Sequence, residues 1–141
     1  MVVQSGPDWK VKIADFGLSK RTAATQLRTL NTGTKPYMAP ELRKDDLDFG
    51  KYRDEIYNSS EYTFAVDLWS LGIIMYELLT GSVPFPKGKD LAAYIQTKQP
   101  FPDYPWGNGR LSKQSERLCR KLLRQNPDDR GSAGEAAAEP W

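Results

Sequence analysis

Asp15-Phe16-Gly17 directly follows a run that reads as a strand, Trp9-Lys10-Val11-Lys12-Ile13-Ala14. A carboxylate at a strand end, beside a flexible glycine, can bind a hard cation such as Mg2+ through oxygen. The same tripeptide also suits an ordinary strand-to-loop turn. Residues 18–36 then interleave hydroxyls, among them Ser19, Thr29, Thr32 and Thr34, with the cations Lys20, Arg21, Arg28 and Lys35. A phosphate on such a hydroxyl would add charge and acceptors that arginines can pair. A loop of that length inside a compact domain is commonly functional; a plain solvated loop is the alternative. The chain has no histidine and one cysteine, Cys119. This removes histidine-activated nucleophiles and histidine metal sites, and also an internal disulfide or cysteine cluster. Gly107-Asn108-Gly109 lacks the third glycine and the preceding strand of a dinucleotide-binding turn.

The elements that must position these groups are legible from periodicity. Val66 to Thr80 reads as one helix closed by Gly81, a residue that can take positive φ. Its apolar residues, Trp69, Leu71, Ile73, Ile74, Met75, Leu78 and Leu79, point in nearly every direction, which predicts a helix buried all round. Asp67 and Glu77 interrupt it, and it falls short of the roughly 18 to 20 apolar residues a bilayer span needs. Upstream, Val2-Val3 and the strand at Trp9–Ala14 flank the turn Ser5-Gly6-Pro7-Asp8 and predict a hairpin with Val11 and Ile13 on one face. Downstream, a short helix is expected over 90–98, with Leu91, Tyr94 and Ile95 on one side. An amphipathic helix is expected over 112–125, with Leu118, Cys119, Leu122 and Leu123 inward and Lys113, Arg117, Arg120, Lys121 and Arg124 outward. Ser132 and Glu135 form a capping box for a last helix over 133–138. Residues 42–61 are strongly charged and are expected to form an exposed insertion.

The bulk properties narrow the class. The length of 141 residues suits one domain or a large piece of one. A net charge of +2 is too small to argue for nucleic acid or membrane as partner. Polar residues follow Met1-Val2-Val3 at once, so no secretory leader is expected and an intracellular location is.

Taken in order, these motifs resemble the activation segment and C-terminal lobe of the serine/threonine protein kinase family, with some likeness to checkpoint and calmodulin-dependent members at Arg28-Thr29-Leu30. Val11 to Ser19 resembles the last cleft strand and the D-F-G metal motif. Met38-Ala39-Pro40-Glu41 resembles A-P-E, Asp67-Leu68-Trp69-Ser70-Leu71-Gly72 the start of the central helix, Gly81 to Phe85 the turn after it, and Arg130 to Trp141 the final helices. The resemblance implies that Asp15 holds Mg2+ on the ATP phosphates, with Phe16 and Gly17 beside the cofactor. It implies that Thr34, with Lys35 and Tyr37, lies in the loop that receives the protein substrate. It implies that Thr29 and Thr32 are phosphorylated by an upstream kinase, and that Glu41 and Arg130 form a buried ion pair. Asp67 would accept hydrogen bonds from the catalytic loop, and Trp69 would anchor the central helix.

The expected fold is therefore mainly α, a short N-terminal β-hairpin and about four to five helices packed around a central buried helix. Residues 1–141 would be one partial domain: activation segment 15–41, charged insertion 42–61 and helices 62–141. The family's Gly-rich loop, strand lysine and catalytic-loop Asp and Asn have no counterpart here; Arg53-Asp54 follows the A-P-E motif and is misplaced for that role. The expectation is a fragment or truncated product that cannot transfer phosphate alone, with a non-catalytic interaction module as the alternative.

Overall fold

The computed structural model describes residues 2–4, 10–14, 34–43, 64–97, 101 and 112–140. Asp15, Phe16, Gly17, Thr29, Thr32 and nearly all of the charged segment 42–61 lie outside the described residues. Strand β1 (Val2–Gln4) pairs antiparallel with β2 (Lys10–Val11), Val2 opposite Val11 and Gln4 opposite Lys10, with an irregularity between the pairs. The hairpin is present, but its second strand is shorter than the alternation predicts. Val11 and Ile13 are 71% and 83% exposed. A strand propensity is realised only where its apolar face is covered, and a two-stranded ribbon alone is marginal.

Four α-helices follow among the described residues. Helix α1 (Ala65–Thr80) places Asp67 in its first turn, where the helix dipole favours an acid. It ends at Gly81, whose N–H donates to the Glu77 carbonyl at 2.7 Å and whose φ of 81° turns the following chain away from the helix. Helix α2 (Gly88–Thr97) buries Leu91, Tyr94 and Ile95, and the Asp90 carboxylate accepts from the Lys87 N–H at its start. Helix α3 (Lys113–Leu122) is capped by Ser112, whose hydroxyl accepts from the Ser115 N–H. Helix α4 (Ala133–Ala138) carries the full capping box of Ser132 and Glu135.

The core is built on α1. Ala65, Leu68, Trp69, Gly72, Ile73, Met75 and Tyr76 are buried on it. Gly72 lets α3 come close: a Cβ there would lie 2.9 Å from Leu122 Cβ. Cys119, fully buried, donates its thiol to the Gly72 carbonyl at 3.5 Å. An aromatic cluster extends the core from α1 to α2. Phe85 stacks between Trp69 and Tyr94, at 6.0 and 5.1 Å between centroids, and Phe101 meets Tyr76, Phe85 and Tyr94 edge-on.

One side of α1 departs from the expectation of burial all round. Leu71, Ile74 and Leu78 are 42%, 44% and 81% exposed. Together with the exposed Asp67 they recur at helical spacing and form a single stripe. Periodicity measures where apolar residues point, not how many partners the remaining chain supplies. No described helix is long and apolar enough to cross a membrane.

Candidate functional site

Residues 34–43 form a loop fastened to α1 at several points. Two short 3-10 turns, Lys35–Tyr37 and Pro40–Leu42, carry proline within their first two positions, Pro36 and Pro40. The fixed φ of proline suits that position, and its missing N–H would have no partner there in any case. The Tyr37 hydroxyl donates to Glu77 Oε2 at 2.7 Å, and Ser70 Oγ donates to the Tyr37 carbonyl at 2.9 Å. The Glu77 carboxylate, as acceptor of that bond, holds the Tyr37 hydroxyl above its ordinary pKa. Arg43 Nη1 donates to the Lys35 carbonyl at 3.3 Å. Met38, Ala39, Pro40 and Glu41 are buried, whereas Thr34 and Lys35 stay exposed. The loop thus presents a hydroxyl and an ammonium from a backbone that has little freedom to move.

Its far end is locked by Arg130. Arg130 Nη1 donates to Glu41 Oε1 at 2.6 Å and Nη2 to Glu41 Oε2 at 3.0 Å, a bidentate pair. Nη1 also donates to the Ala65 carbonyl, Nη2 to the Gln125 carbonyl and Nε to the Arg124 carbonyl. All five N–H donors of the guanidinium are therefore used, which is how a side chain with no exposed surface keeps its charge. The guanidinium lies 5.0 Å from the centroid of the Trp69 ring, in cation–π geometry. Among the described residues, buried Trp69 Nε1 has no hydrogen-bond partner.

Among the candidate residues the structure brings together Glu41, Arg130 and Trp69, and sets Tyr37 against Glu77. It places Asp67 elsewhere, on the exposed stripe of α1. Among the described residues no group of three or more His, Cys, Asp or Glu side chains could hold a metal ion. Burial pushes the Cys119 thiol up to about 12, which fits a core residue and not a nucleophile.

Sequence reasoning missed three anchors. Ser70 and Glu77 are polar interruptions seven residues apart in an apolar helix, hence on one face, and that spacing was the available signal. Arg43 reads as part of an exposed charged segment, yet it is only 6% exposed. Nothing in the local run of charges distinguishes it, because its burial follows from the loop folding onto α1.

The protein kinase domain profile matches residues 1–141. Serine/threonine-protein kinase RAD53 of Saccharomyces cerevisiae is 33% identical over 132 residues, covering 93% of this chain and 16% of the relative. Serine/threonine-protein kinase cds1 of Schizosaccharomyces pombe is 35% identical over 140 residues, covering 95% of this chain and 28% of the relative. A crystal structure of the Rad53 kinase domain and SCD2 superposes with a TM-score of 0.65 at 27% identity, covering 99% of this chain and 43% of that one. The chain thus spans well under a third of the length of these two curated relatives. With a mainly helical fold built on a central helix and a profile match along its whole length, the chain belongs to the protein kinase domain family.

Proposed function

We propose that residues 1–141 serve ATP-dependent phosphoryl transfer to serine or threonine of a protein substrate as one part of a kinase domain, with segment 15–41 regulatory, 42–61 inserted and 62–141 the helical lobe. The observation that carries this reading is the loop 34–43. Its exposed Thr34 and Lys35 stand on a backbone pinned by Glu77, Ser70 and the Glu41–Arg130 pair. A surface that must accept a substrate in a fixed register needs that kind of rigid support.

In this reading ATP and Mg2+ belong to the complete domain. Asp15 would give the metal one carboxylate, with Phe16 and Gly17 beside it; bound Mg2+ supplies neutralisation of phosphate charge. Thr29 and Thr32 are the hydroxyls an upstream kinase would modify, and an intracellular setting goes with these partners. The sequence holds no catalytic-loop Asp and Asn ahead of Asp15 and no Gly-rich loop, so this chain by itself transfers no phosphate. Incubation of the purified chain with labelled ATP, Mg2+ and a basic protein substrate is expected to give no transfer above background. Transfer that co-purifies with the chain and disappears in Asp15→Ala would overturn this.

A second reading, a non-catalytic interaction module, draws on the exposed stripe Leu71, Ile74 and Leu78. Light scattering separates the two: a monodisperse monomer that shows no complex with a full-length kinase argues against the module.

A further inference from the structure

We propose that the basic groove between α3 and the end of α4 docks an extended acidic segment of a partner protein. The groove encloses about 610 Å³ and is lined by Lys113, Arg117, Arg120, Lys121 and Arg124. Lys113, Arg117, Arg120 and Lys121 share one face of α3 opposite Leu118, Cys119 and Leu122, and Arg124 follows just beyond the helix end. Glu139 closes the far side from just beyond α4.

The cations are not all alike. Arg120 donates through Nε to Glu116 at 2.8 Å and through Nη1 to the Phe101 carbonyl at 2.9 Å. Lys121 lies 3.3 Å from Glu135 and 3.8 Å from Glu139. The side chains of Lys113, Arg117 and Arg124 are exposed and make no hydrogen bond or ion pair among the described residues. Like charges one turn apart, as at 113 and 117 or 117 and 121, repel each other on a helix. A carboxylate laid between them turns that repulsion into attraction, and each arginine fork can take one carboxylate bidentately.

The chemistry of the lining selects the class of anion. Glu116 and Glu139 interrupt the cations, which suits a peptide whose acids alternate with neutral residues and opposes a continuous polyanion. Among the described residues no aromatic ring lines the groove to stack a base. From Lys113 to Lys121 the helix rises about 12 Å, the reach of about four residues of extended peptide. None of this depends on the phosphotransfer reading.

The test is a fluorescence-anisotropy titration of the full chain with a labelled peptide of about eight alternating Glu and Ala residues, long enough to overrun the groove. Its Lys/Ala counterpart and a labelled oligouridine are run beside it. Saturable binding of the acidic peptide alone is expected, weakened at least about tenfold by the double variant Arg117→Gln, Arg124→Gln and by high salt. Circular dichroism checks the variant's helicity, and each single variant carries the test separately if the double variant unfolds. In addition, the bound peptide is expected to slow acetylation of Lys113, read by mass spectrometry on the unmutated chain. No saturable binding at low salt, unchanged affinity in the variants, unprotected Lys113, or tighter binding of oligouridine would each overturn the proposal.

Discussion

Replacing Arg130 by lysine keeps the charge and loses the geometry. Lysine cannot span Glu41 and three backbone carbonyls at once, and the guanidinium has no exposed surface on which water could substitute. Arg130→Ala and Glu41→Ala are each expected to cost about 3–5 kcal/mol, because each leaves the other charge buried and unpaired. The double variant should lose clearly less than the sum in urea denaturation, and Arg130→Lys should recover little; additive losses would mean that the pair is not coupled. Tyr94 gives a second test at this scale. Its hydroxyl donates to the Leu123 carbonyl at 2.9 Å, and burial pushes its pKa up from 10.0 to about 12. The folded state therefore holds this proton more tightly than the unfolded chain does. Its contribution is complete below about pH 10 and is lost as pH rises towards about 12, amounting to about 3 kcal/mol across that window. Thermal melts of Tyr94→Phe should show a shallower alkaline loss than the parent chain over the same range.

The contact between α1 and α3 depends on a missing side chain. An added Cβ at Gly72 would meet Leu122 Cβ and Leu123 Cγ at 2.9 Å, so alanine cannot enter without moving α3. Alanine gains up to about 1 kcal/mol of helix propensity over glycine, but overpacking costs about 1–3 kcal/mol. The strain is expected to win, because Leu122 and Leu123 are both fully buried and have no free space to retreat into. Gly72→Ala should lower the urea midpoint; a raised midpoint would show that α3 yields easily. Elements with their own local signals were readable in advance: the Ser132–Glu135 box and the Gly81 stop are each set by two or three neighbouring residues. The second strand is shorter than its alternation predicts, because its apolar face is left exposed.

For the molecule as a whole, α1 has two energetically different sides. Ile73 has no exposed surface and Leu78 is 81% exposed. Ile73→Ala should therefore cost about 2–5 kcal/mol, whereas Leu78→Glu should stay within about 0.5 kcal/mol of the parent, both read from denaturant midpoints. Equal costs would mean that the stripe is packed in solution. By itself the sequence determined the helices, the Gly81 stop and the Ser132–Glu135 box, the inward residues of α2 and α3 and the order of family motifs, since periods and caps depend on neighbours a few positions apart. Only the tertiary structure decided which face of α1 is covered, that Arg43 is buried, that Ser70 and Glu77 hold the loop and that Phe85 and Phe101 close the core. Those outcomes depend on contacts between residues far apart in the chain, such as Tyr37 with Glu77 and Ser70 with the Tyr37 carbonyl, and local pattern carries no information about such distances.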